Sequence, residues 1–149
     1  MDIYLILYLL FVVGPFSTII HEAGHAFAAR TVKADHILLS IGYGEKIYEK
    51  SFHIFQLSIR HFFFLGGFAT SSKNTQFTPS EKIWISIMGP LTSALLAFIF
   101  YFLYYLFPIS YFFLFSLFNG WLAIINLLPL NLRGKQSDGY KILQLMKKQ

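Results

Sequence analysis

Three stretches of this chain, residues 3–20, 83–107 and 111–130, contain no Asp, Glu, Lys or Arg. A helix needs about 20 apolar residues to cross the hydrocarbon core of a bilayer. The second and third stretches meet that length, and the first does so when continued as helix through residue 30. Composition agrees. Only 13% of the 149 residues are charged, against roughly 25% in a soluble domain. The chain is 56% hydrophobic, with 18 Phe and 9 Tyr, more apolar surface than one small core can bury. The expected fold class is therefore a mainly α membrane protein. Its three transmembrane helices are expected at about residues 3–30, 81–107 and 111–130, within a single membrane-embedded domain spanning residues 1–149.

Local signals refine this outline. Gly14-Pro15 lies inside the first run, where a kink is expected. Pro79-Ser80-Glu81 reads as a helix start before the second run. Phe107-Pro108-Ile109-Ser110 is a turn too short for anything but an antiparallel helical hairpin. Between the first two helices the period changes. In Phe55-Gln56-Leu57-Ser58-Ile59-Arg60 apolar and polar residues alternate, as in a strand, and glycines bound the neighbouring apolar segments. Residues 35–70 are expected to form a small β-hairpin or sheet insert at the membrane surface, with residues 55–60 as its exposed edge. A short C-terminal helix is expected at about 138–148.

Charge sets the orientation. All 12 Lys and Arg fall within residues 30–82 and 133–148. With three spans these two regions share a side. By the positive-inside rule that side is cytoplasmic and the N-terminus is outside. Met1-Asp2 begins no basic n-region and no cleavage site precedes His21, so the first apolar segment is expected to be retained. The formal net charge of +5 has no accompanying aromatic-plus-basic groove pattern, so no nucleic-acid partner is expected. There are no cysteines, which excludes disulfides and thiolate metal ligands.

Near the inner end of the first apolar run stands His21-Glu22-Ala23-Gly24-His25. Ionisable residues in a membrane segment are costly and read as functional by default. On a helix, residues four apart share a face, so His21 and His25 can point imidazole nitrogens at one metal ion. Glu22 lies about 100° around from His21, where it can reach a metal-bound water without ligating. This is the H-E-x-x-H pattern of zinc peptidases. Two histidines are too few for a catalytic zinc, so a third ligand is needed. The acidic candidates are Asp2, Asp35, Glu45, Glu49, Glu81 and Asp138. Asp2 is on the wrong side, and the next four lie in a charged, wet region. Asp138 follows the third helix at a compatible depth, since residues 3–20 rise about 27 Å. It can equally cap the last helix. His36, His53 and His61 are expected to be surface or interfacial side chains.

Four stretches together resemble the site-2 protease family of intramembrane zinc metalloproteases. They are His21-Glu22-Ala23-Gly24-His25; Leu65-Gly66-Gly67-Phe68-Ala69; the Gly89-Pro90 segment of residues 88–97; and residues 126–143, with Asn126, Pro129, Asp138 and Gly139. They occur in the family's order and cover nearly the whole chain. The resemblance implies that His21, His25 and Asp138 ligate Zn2+, that Glu22 is the general base, and that Asn126 helps hold the substrate peptide or the developing oxyanion. Asp138 follows Pro129 by nine residues, more than in the commoner family pattern; a longer insert ending in Ser-Asp-Gly occurs in some members.

The expected function is an intramembrane zinc metalloendopeptidase, an integral protein of a bacterial cell membrane. Its partners are the bilayer and a membrane-protein or peptide substrate whose unwound segment adds to the sheet beside Phe55, Leu57 and Ile59. The alternative is a non-proteolytic homologue, a membrane binding or immunity-type protein. A solute path through three helices would require an oligomer.

Overall fold

The computed structural model describes residues 3–132 and 134–147. Met1, Asp2, Arg133, Lys148 and Gln149, two of them among the 12 basic residues, lie outside the described residues. The first apolar run forms one continuous helix, α1 (Ile3–Thr31). Pro15 has no N–H and its ring crowds the preceding turn. Just before it, Leu9–Val13 widens into a π-helical turn, and the Gly14 N–H donates to the carbonyl of Leu9, five residues back. The expected disruption at Gly14-Pro15 is thus absorbed by a π-bulge, and α1 does not break there.

Two strands follow, β1 (His36–Phe52) and β2 (Phe55–Ser72), paired as a two-stranded antiparallel sheet between the first two spans. The strands run 17 and 18 residues, and both bend at glycines with positive φ: Gly42 and Gly44 in β1, Gly66 in β2. The bends fold the pair into four lanes. Residues 37–41 pair antiparallel with residues 71–67, and on their other side run beside 55–59 in ascending register. Residues 55–59 pair in turn with 52–48. The lane order is 67–72, 36–41, 55–60, 46–52.

This corrects one expectation. Residues 55–60 are not a free edge: Phe55 pairs with Ile37 and Phe52, Leu57 with Leu39 and Lys50, and Ile59 with Ile41 and Tyr48. Alternation identified the strand, but the glycine bends place it inside the sheet. The open lanes are 67–72 and 46–52.

Helix α2 (Pro79–Leu106) starts at a capping box: the Thr78 side chain accepts from the Glu81 N–H, and the Glu81 carboxylate accepts from the Thr78 N–H. Its buried positions, Ser86, Gly89, Pro90 and Ser93, are all small. Small residues let membrane helices approach closely. A side chain at Gly24 of α1 would strike Thr92 and the Met88 carbonyl of α2. Helix α3 (Ser110–Leu127) returns after the short turn and ends three residues earlier than expected. Leu128 precedes Pro129 and takes extended geometry, as residues before proline do. Deep in the bundle, Asn119 of α3 donates to the Ser17 hydroxyl of α1 (2.8 Å) and to the Phe115 carbonyl.

After α3 come two short strands not anticipated from the sequence, β3 (Asn131–Leu132) and β4 (Lys135–Gln136), then α4 (Asp138–Met146). Helices α1, α2 and α3 are long and apolar enough to cross a membrane. Their outer faces carry exposed large apolar side chains such as Leu95, Phe98, Tyr105 and Ile124, as lipid contact requires. The protein is mainly helical, with three such helices and a sheet between the first and second.

Candidate active site

The chemistry gathers where α1, α2, α4 and the 67–72 lane converge. His21 and His25 lie one turn apart on the buried face of α1 and are only 4% and 8% exposed. Asp138 reaches them from the first turn of α4. Its Oδ2 lies 3.3 Å from His21 Nε2 and 3.1 Å from His25 Nε2. One nitrogen or oxygen from each of the three residues, an atom that could hold a metal ion, lies within 4.8 Å of the other two.

Asp138 is free to do this because it is not the helix cap. That role belongs to Ser137, whose side chain accepts from the Tyr140 N–H and donates to the Leu128 carbonyl. Ser137 thereby ties the start of α4 to the end of α3. Gly139 allows the close approach, since a Cβ there would run into the Leu127 carbonyl. Burial would raise the Asp138 carboxyl, but hydrogen bonds to His21 and His25, with the charges of His25 and Lys141, hold it well below the usual carboxylate range.

The donor set suits a cation. His25 Nδ1 donates to the Ile85 carbonyl at 2.7 Å. When the His25 ring is neutral, the lone pair of Nε2 faces the Asp138 carboxylate 3.1 Å away, two acceptors that a positive ion between them would reconcile. His21 Nδ1 is bonded to the Ser93 hydroxyl at 2.9 Å. The space for the His25 ring is made by Gly89, where any Cβ would overlap the imidazole. The second oxygen of Asp138 pairs with Lys141 Nζ at 2.9 Å, so a single carboxylate oxygen faces the histidines. Among the described residues no other group of three such ligands comes together.

A cavity of about 470 Å³ opens over this cluster, lined among others by Glu22, Asn126, Tyr43 and the Gly67–Ala69 stretch. Glu22 of α1 and Ala69 of β2 border the cavity together. Asn126 spends one amide hydrogen on the Leu122 carbonyl at 2.9 Å, within its own helix, and still borders the cavity. Lys135 donates to the Tyr43 hydroxyl at 2.8 Å, linking β4 to the sheet at the cavity wall. Phe55, Leu57 and Ile59 do not line it; Phe55 borders a separate cavity at the end of the sheet, together with His36 and His53.

Sequence reasoning missed the residues behind the histidines, Ser93 and the Ile85 carbonyl, and missed Lys141. The available signal was spacing. Ser86, Gly89 and Ser93 recur at helical intervals, marking one small-residue face of α2.

No curated protein matches the chain. A family model described as Peptidase family M50 matches residues 5–109, a stretch that holds His21, Glu22, His25 and Gly89 and stops short of Asn126 and Asp138. That match spans well over half of the 149 residues, and the chain belongs to peptidase family M50, the site-2 protease family.

Proposed function

We propose that the protein is an intramembrane zinc metalloendopeptidase that cleaves a peptide bond in or near a transmembrane segment. The observation that carries this reading is the convergence of His21, His25 and Asp138, with Glu22 beside them, from elements far apart in sequence. His21, His25 and Asp138 would hold Zn2+, which lowers the pKa of a bound water toward 7 and polarises a carbonyl. Ser93 and the Ile85 carbonyl orient the two imidazoles. Glu22 takes a proton from the attacking water at its carboxylate oxygen and later returns it to the leaving amine. Asn126 has a second amide hydrogen with which to position the substrate carbonyl.

A peptide bond inside a transmembrane helix is hydrogen-bonded and shielded, so the segment must first unwind. The 67–72 lane of β2 is open on the side away from β1 and passes the cavity at Gly67 and Ala69. It can hold the substrate extended by strand addition. The proposed strand addition is therefore at residues 67–72, because Phe55, Leu57 and Ile59 are already paired on both sides. The N-terminus lies outside and the C-terminus in the cytoplasm.

Co-expression with a panel of tagged single-span membrane proteins tests the reading. Wild type should release a shortened product from at least one, and Glu22→Gln from none. Identical patterns with both enzymes would refute proteolysis and favour a non-cleaving membrane binding protein.

A further inference from the structure

The open lane of β2 runs past the cavity over the histidines into a second one. The Ser72 carbonyl accepts from the Asp35 N–H, on the β1 side. Backbone groups alternate along a strand, so those of Gly67, Ala69 and Ser71 point outward. Gly67 and Ala69 border the first cavity; Ser71 borders the second, of about 360 Å³. Two residues of extended chain cover about 7 Å. Ile85, Ser86 and Lys141 line both spaces, which are therefore adjoining parts of one groove. The second cavity has apolar walls in Phe77 and Leu145, a lysine at its exposed rim in Lys82, and no acidic residue in its lining. Among the described residues Lys46, Lys73 and Lys141 form ion pairs, and Lys82 forms none.

We propose that this cavity is a substrate subsite that selects a glutamate side chain two residues from the cleaved bond. Its methylenes lie along Phe77 and Leu145 and its carboxylate meets the Lys82 ammonium. The occupant belongs to the same peptide because the backbone groups that would hold it, at Ser71, continue the edge that serves Ala69. The inference rests on the protease reading above.

The test uses a library of single-span reporters randomised around the cleavage region and co-expressed with the full chain. Products of wild type should be enriched in Glu at that position by about 1.4- to 5-fold, the discrimination an exposed ion pair supplies. Lys82→Gln should erase the preference and Lys82→Glu should replace it with Lys or Arg. Zinc content and cleavage of a reporter with Ala at that position should be unchanged in both variants, since Lys82 does not border the cavity over the histidines. Cleavage without Glu enrichment, or enrichment unchanged in the Lys82 variants, overturns the subsite and leaves the protease standing. No cleavage of any reporter by zinc-loaded wild type overturns the protease reading and the subsite with it.

Discussion

In the proposed mechanism Glu22 is chemically decisive without holding the metal. It sits next to His21 on α1 and borders the cavity over the histidines. Glu22→Gln preserves size and hydrogen bonding but cannot accept a proton. General acid–base contributions are about 100- to 10,000-fold, and turnover should fall by that factor while zinc stays bound. A product assay on one purified substrate, alongside metal analysis, checks this. Asn126→Ala should be milder, because it removes a positioning group and not the base; the same assay should show activity between those of wild type and Glu22→Gln. Gly89 is a different kind of residue. Its missing Cβ is the space the His25 ring occupies. Gly89→Ala forces the ring or the helix to move, and overpacking of this sort costs about 1–3 kcal/mol. Thermal unfolding in detergent should shift downward, and zinc should bind more weakly.

At the scale of elements, the orientation of the histidines depends on α2. Ser93 of that helix holds His21, and the Ile85 carbonyl holds His25. Outer-shell partners of this kind typically change metal affinity by 10- to 100-fold. Ser93→Ala should weaken zinc binding at the low end of that range, measurable by competition with a chelator, with little change in helix content. The helices themselves were legible because length and the absence of charge determine a span almost unaided. The His21-Glu22-x-x-His25 face was legible because helical spacing is fixed. The sheet was legible only in part. Alternation at residues 55–60 revealed a strand, but lane order depends on bends at Gly42, Gly44 and Gly66, and on which backbone groups find partners across the fold. The same limit applies to Ser137. Sequence alone allowed Asp138 to be the cap, and only the packing of α4 against the end of α3 shows that Ser137 takes that role.

At the scale of the molecule, three apolar helices surround a polar cluster near one end, and their outer faces are apolar. All 12 basic residues belong to residues 30–82 and 133–148. The proposed orientation, with those regions in the cytoplasm, rests on the positive-inside rule. Reporter domains fused after Gln149, or inserted near Lys73, should read as cytoplasmic; an external signal from either would contradict the three-span topology. The most direct test of the central claim is zinc content, measured on detergent-purified protein for wild type, Glu22→Gln, His21→Ala and Asp138→Ala prepared identically. The account predicts one zinc per chain for wild type and Glu22→Gln, and loss of zinc in His21→Ala and Asp138→Ala, with all four helical by circular dichroism. Full zinc occupancy in His21→Ala and Asp138→Ala would contradict it.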